Sequence, residues 1–260
     1  MAETIEHDTE TMPREGATAA RSTCPVCEQP AGAQYHAHNG IDLHQCATCE
    51  TVYMHPLPSP ETIAGFYEDS YDGASTGYFA KVDKKMKRSR GRIKYLSRFV
   101  NSGAFLDIGS NGGFMVEAAR EQGYQAVGVE IDPVSVDYAR EHYPDNEYFT
   151  GTIEEYGESG RLFDLAYCSE VIEHVPDVQG FVAATAKLLK PGAVLFITTP
   201  DISHWRRPRT LTDWDAYCPP SHCVFFNPAS LTRIFEQHGF RVRSRRPALK
   251  PGIKLVFERI

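Results

Sequence analysis

Residues 104–113, Ala104-Phe105-Leu106-Asp107-Ile108-Gly109-Ser110-Asn111-Gly112-Gly113, decide the fold. An apolar run ends in an acid and breaks into a glycine-rich turn that leads into a helical pattern. A backbone turning this tightly can bring its amides against a ligand. Downstream, Val127-Gly128-Val129-Glu130 is a second short apolar run ending in an acid. A doubly wound sheet carries its ribose-binding carboxylate at that position. The pair predicts a nucleoside-binding crevice at the tips of two neighbouring strands.

The turn itself narrows the ligand. A nicotinamide site uses G-x-G-x-x-G, whose second glycine admits the pyrophosphate to a helix N-terminus. This chain has Gly109, Asn111, Gly112 and Gly113 instead. Asp107, just before the turn, would repel a pyrophosphate but suits the ammonium and sulfonium groups of S-adenosylmethionine.

On these residues the chain resembles the class I S-adenosylmethionine-dependent methyltransferases, from about Phe105 to the C-terminus. Two further stretches carry the similarity: Phe163 to Asp177 (FDLAYCSEVIEHVPD) and Leu188-Leu189-Lys190-Pro191-Gly192-Ala193. Asn111 departs from the usual second glycine. The resemblance implies that Asp107, Gly109 and Gly113, with Asn111 between them, form the donor's amino-acid pocket. It implies that Glu130 accepts both ribose hydroxyls and that Ile131 lies against adenine. Thr152 and Ile153 would reach the adenine edge, although the frequent Asp is Thr152 here. Cys168 reads from its own position as a small core residue; by resemblance it joins the cofactor set.

The element order is α/β: a doubly wound, mostly parallel Rossmann-like sheet, to which the resemblance adds a terminal antiparallel hairpin. Strands are expected at 104–108, 125–130, near 147–150, 162–168, 193–199, 240–246 and 253–259. Helices are expected at 113–122, 133–143 with Asp132 as N-cap and Pro133 first, 177–190 stopped by Lys190-Pro191-Gly192, and 228–238. Ligand then belongs at the strands' C-terminal edge.

Upstream, Cys24-Pro25-Val26-Cys27 and Cys46-Ala47-Thr48-Cys49 form two knuckles eighteen residues apart. That spacing lets four thiolates surround one structural zinc. Four domains follow: a disordered tail 1–22, a zinc ribbon 23–55, a linker with lid helices 56–100, and the catalytic domain 101–260. In the third, Pro56 to Pro60 reads as a stiff linker, Glu61 to Tyr67 as a short helix, and Lys81 to Val100 as a helix with Met86, Ile93, Leu96 and Phe99 on one face.

The chemistry is expected at Glu170-Val171-Ile172-Glu173-His174, after a strand's C-terminal end. If this segment enters a helical turn, Glu170, Glu173 and His174 share one face. The E-x-x-E-H pattern is similar to that of ubiquinone-pathway O-methyltransferases and small-RNA 2′-O-methyltransferases. In the latter a further histidine lies downstream before an aromatic residue and a helix start, as His222 does here. Three readings stay open: a catalytic divalent cation on Glu170, Glu173, His174 and His222, a metal-free base at His174 or His222, or a purely structural cluster. Residues 201–226, rich in aromatics and carrying Arg206, Arg207 and Arg209, either cover substrate or form a satellite apolar cluster.

Composition sets outer bounds. With 42% apolar content and a net charge of −7, the chain reads as a soluble, globular, cytoplasmic protein without a membrane span or leader. The charge disfavours nucleic acid as partner, although basic runs at Lys81 to Lys94 and Arg241 to Arg246 hold it open. The expected function is O-methylation of a small acceptor, such as a sugar or nucleotide sugar. The alternatives are metal-assisted RNA 2′-O-methylation and a non-catalytic interaction protein. Acceptor identity and oligomeric state are not encoded in readable form.

Overall fold

A computed structural model describes residues 23–59, 62 and 81–260. The expected tail 1–22 and, apart from Thr62, the expected helix 61–67 lie outside them.

The main sheet has seven strands: β4 (Ala104–Ile108), β5 (Gln125–Glu130), β6 (Glu147–Thr150), β7 (Phe163–Ser169), β8 (Leu189–Thr199), β10 (Phe240–Arg245) and β11 (Ile253–Arg259). Their order across the sheet is β10-β11-β8-β7-β4-β5-β6. The first five in sequence pair in parallel with one another, while β11 is antiparallel to both β8 and β10. The chain reverses its winding between β4 and β7, and the two strands that carry Asp107 and the E-x-x-E-H segment lie side by side there.

Alternation along β4 explains the layering. Phe105 faces one side with Met86, Ile93 and Leu96 of α1 (Val82–Leu96) and Phe114 and Met115 of α2 (Phe114–Glu121). Leu106 faces the other, where α5 (Val178–Lys187) and α6 (Pro228–Gln237) pack. Helix α3 (Pro133–His142) lies on the first side, its Val136 and Ala139 against Tyr148. Its start was legible: Asp132 caps the amides of Val134 and Ser135, and Pro133 holds the first position. Helix α4 (Ile153–Tyr156) is short and begins with a capping box of Thr152 and Glu155.

One expected boundary is corrected. Lys190-Pro191-Gly192 does not stop the helix, which already ends at Lys187; it lies inside β8. Phe163 pairs with Leu189 and Leu165 with Val194, so the intervening residues loop out between two paired stretches. Gly192 supplies the left-handed backbone this needs, at φ +82°. The excursion brings Lys190 Nζ to 2.8 Å from both oxygens of Asp164.

The second sheet contains β1 (Ala33–His38), β2 (Ile41–Gln45), β3 (Val52–Met54) and β9 (Val224–Phe225), in that order and all antiparallel. Asn39 and Gly40, at φ 48° and 77°, make the two-residue turn between β1 and β2. The cysteine segment thus takes its fourth strand from the far end of the chain. No helix among the described residues is long and apolar enough to cross a membrane.

Candidate active site

The glycine turn is held from behind by β5. Gly109 and Ser110 donate their amides to the Val129 carbonyl at 2.9 and 3.1 Å. Gly109, Asn111 and Gly113 all adopt positive φ, and Gly113 is the N-cap of α2. A Cβ at Gly113 would lie 2.5 Å from Tyr148 Oη, so only glycine fits that crossing. Glu130 accepts from Asn111 N at 2.8 Å and from Asp132 N at 3.1 Å, which fixes its carboxylate beside the turn. Ile131 next to it is an exposed apolar side chain, 44% accessible.

Asp107 is buried at the tip of β4. Burial first, and the nearby Glu130 carboxylate second, push its pKa well above the usual carboxylate range, while Arg92 pulls it back. Burial likewise raises Glu130. Two buried acids close enough to repel each other favour a ligand that brings positive charge or hydroxyl donors. Of the remaining expected donor contacts, Ile153 and Cys168 are buried, and Thr152 engages both its amide and its hydroxyl in the α4 cap.

Sequence reasoning missed Arg92. It lies on α1, reaches over the ring of Tyr167 on β7 and donates to the Tyr167 hydroxyl; its charge is felt by Asp107 and Glu170. In sequence it disappears into a run of lysines and arginines. The available signal was helical spacing: Arg92 follows Ser89 by three and precedes Leu96 by four, and both neighbours are buried.

The E-x-x-E-H segment is not the single helical face expected. Glu170 sits at φ 57° and only Ile172–His174 form a turn, of the tight 3-10 kind. The left-handed residue turns the Glu170 carboxylate onto Thr198 Oγ1, 2.7 Å away, and its amide donates to the Thr198 carbonyl. Glu170 thus lies outside the group of ligand atoms that cluster here. The atoms that converge, within 4.8 Å of one another, belong to Glu173, His174 and His222.

Each member of this trio is oriented by a neighbour. Glu173 is 1% exposed; Oε2 accepts from Thr199 Oγ1 at 2.9 Å, and Oε1 is buried with no hydrogen-bond partner among the described residues. Burial and the nearby Glu170 push Glu173 up to about 8. His222 Nδ1 lies 2.8 Å from the Ala216 carbonyl, which only accepts, so Nδ1 carries the proton and Nε2 the lone pair. His174 Nδ1 lies 3.0 Å from Ser221 Oγ, and the two imidazoles meet edge to face with centroids 4.4 Å apart. Burial, then His222, lowers His174 to about 4; burial lowers His222 too.

In the insertion, Leu211, Trp214, Phe225 and Phe226 join the main core with Leu106 and Leu195 rather than forming the separate satellite cluster expected as one reading, while Trp205 is 83% exposed beneath Arg206. Arg207 folds back onto the Ile202 carbonyl and over Trp214.

The two cysteine knuckles are built alike. Glu28 and Glu50 each adopt φ 59° and close a turn onto the carbonyls of Cys24 and Cys46 at 2.9 Å. All four thiols are buried, with Sγ separations of 3.6 Å for Cys24–Cys49 and 3.4 Å for Cys27–Cys46. A tetrahedron with Zn–S bonds of about 2.3 Å has edges of about 3.8 Å, so the donor set fits such an ion.

With this geometry in place, the family is clear. A model of the methyltransferase domain family matches residues 78–245, and the chain belongs to that family. The ubiquinone biosynthesis O-methyltransferase of Bartonella tribocorum is 40% identical over 98 residues, 36% of this chain and 40% of that protein. Its namesake from Hahella chejuensis is 37% identical over 99 residues, 36% and 42% respectively. The matched region thus spans less than half the length of these curated relatives. Among solved structures, the 1,6-didemethyltoxoflavin-N1-methyltransferase of Burkholderia thailandensis has a TM-score of 0.57 at 15% identity, over 87% of this chain and 97% of that one. Magnesium protoporphyrin IX methyltransferase from Synechocystis has a TM-score of 0.56 at 16% identity, over 77% and 100%. At such identities the likeness concerns the fold.

Proposed function

We propose that the protein transfers the methyl group of S-adenosylmethionine to a hydroxyl oxygen of a small biosynthetic intermediate. The observation that carries the acceptor side is Glu173 Oε1, a buried carboxyl oxygen left without a donor among the described residues, beside two imidazoles. Such an atom is costly unless a ligand completes it. An acceptor hydroxyl, or a divalent cation that binds one, is the ligand that fits.

Asp107 and Glu130 take the donor's cationic and ribose ends, and the Gly109–Gly113 turn admits its backbone. The acceptor oxygen attacks the methyl carbon, the carbon–sulfur bond breaks, and S-adenosylhomocysteine leaves as a neutral thioether. Glu173 and His174 hold the hydroxyl in line, and His222 Nε2, which carries the lone pair, accepts its proton. The mixed carboxylate and imidazole set also fits Mn, Co, Zn or Mg. A cation held there would lower the hydroxyl's pKa. The four cysteines would hold zinc as a closed structural site.

A small acceptor is favoured over RNA because α1 engages three of its seven basic residues internally: Arg90 pairs with Glu121 at 2.6 Å, Arg92 lies on Tyr167, and Lys85 lies over Phe114. The acceptor classes to try are sugars and nucleotide sugars, quinol precursors, and RNA as the counter-case. Incubation with labelled donor and mass analysis should give a methyl ether of a small acceptor. Label appearing only in RNA, or no donor binding at all, would overturn the assignment.

A further inference from the structure

The ribbon sheet is completed by the catalytic domain at one critical place. β3 pairs with β9 through Val52 opposite Phe225 and Tyr53 opposite Val224. The residue before β9, Cys223, is fully buried and bonded in two directions. Its carbonyl accepts from Met54 N at 2.9 Å, and its amide donates to the Glu173 carbonyl at 2.9 Å. His222 precedes it directly. Two members of the trio therefore hang on one residue, whose other side is fastened to the strand leaving the second knuckle. Asn227 adds a tie to the same knuckle, Nδ2 to the Cys49 carbonyl at 3.4 Å.

The donor crevice is anchored elsewhere: the glycine turn hangs on Val129 and Glu130 of β5. Segment 23–55 has no core of its own, since Val26, Leu43, Val52 and Tyr53 join that of the catalytic domain, so metal closure adds to the packing that keeps β3 in place. We infer that the four-cysteine ribbon, once closed by its metal, is a positioning element for Glu173 and His222, acting through Met54 and Cys223 and setting turnover rather than donor affinity. This rests on the trio being the acceptor site, as proposed above.

The test uses the full chain carrying Trp205→Phe, which leaves Trp214 as the remaining tryptophan. Trp214 is buried 6.2 Å from the ring of Phe225 on β9 and reports the packing of that strand. Into this parent go Cys27→Ser, which removes a zinc ligand, and Cys27→His, which replaces it with another. Metal content, Trp214 emission, donor affinity by calorimetry and methyl transfer are read together. Cys27→Ser should lose one metal per chain, shift Trp214 emission to the red and lower turnover about 10-fold or more, the usual range for a lost supporting contact. Donor affinity should hold, and Cys27→His should restore emission and turnover.

Unchanged emission or turnover in metal-free Cys27→Ser overturns the inference. So does a collapse of donor affinity, which would make the ribbon a general stabiliser. If Cys27→Ser does not accumulate, metal is displaced from the folded parent with an organomercurial and restored with thiol and zinc, under the same criteria. His222→Ala separates this failure from that of the proposed function: retained turnover there removes the trio from the chemistry, whereas lost turnover there with full turnover in Cys27→Ser removes only the positioning role.

Discussion

Arg92 on α1 donates to the hydroxyl of Tyr167 on β7 and lies over its ring, 5.3 Å from the centroid, at the edge of the crevice that holds Asp107. A guanidinium can make the stacked and hydrogen-bonded contact together, whereas an ammonium cannot. Arg92→Lys should therefore weaken donor binding about 10-fold, by roughly 1.4 kcal/mol. Calorimetry checks this; an unchanged dissociation constant would confine Arg92 to holding α1 on the sheet.

Asp107 sets donor binding against stability. Its raised pKa means that the unfolded chain releases this proton at lower pH than the folded one, so at neutral pH the residue destabilises the donor-free fold. Asp107→Asn should stabilise that state by about 1 kcal/mol and abolish measurable donor binding. Thermal melts with and without donor give both numbers. A variant that loses stability would show that the carboxylate has stronger internal partners.

Gly113 and Tyr148 should couple. Gly113→Ala places a methyl against Tyr148 Oη on a backbone at φ +77° and should cost about 2 kcal/mol. Removing the Tyr148 hydroxyl vacates the space the new methyl needs, so Tyr148→Phe should recover part of the loss in the double variant. Urea unfolding of the four proteins measures the coupling.

The trio predicts a division of roles. His222→Ala and Glu173→Gln should each lower turnover about 100-fold with donor affinity intact. Chelation that leaves zinc at the knuckles should also lower turnover, and Mn, Co or Mg should restore it. Full turnover after chelation, with metal content verified, would leave the imidazoles as unaided bases.

Glu117 on α2 accepts from Arg120 at 2.8 and 2.9 Å and from Asn146 at 2.8 Å, and the arginine holds its pKa below the usual value. That contribution is present above the unfolded pKa of about 4.3 and is lost as pH falls through the lower folded value. Glu117→Gln should cost about 1 kcal/mol at pH 7. The difference between the two proteins should shrink in acid; a constant gap would assign the loss to packing.

Much of this architecture was legible because it rests on local signals. The acid-ended strands β4 and β5 and the Asp132-Pro133 start follow from the residues that form them, whereas the antiparallel pairing of the last two strands came from the family resemblance. What was not legible depends on residues far apart in sequence. Lys190-Pro191-Gly192 looks like a helix stop, and only the pairing of Leu189 with Phe163 shows that the strand has already begun. Glu170 matches the spacing of a ligand, yet its left-handed backbone turns it to Thr198. Arg92 is one positive charge among many until helix packing decides which of them faces inward.

Because Cys49 and Asn227, 178 residues apart, meet across the ribbon edge, the cysteine segment leaves the ribosome long before the strand that completes it. During synthesis Val52 to Met54 present an open edge, and pairing of this range is slow and exposed to wrong partners. Metal captured early by the knuckles would keep the segment compact until β9 arrives, and would make metal supply bear on yield as well as on the finished molecule.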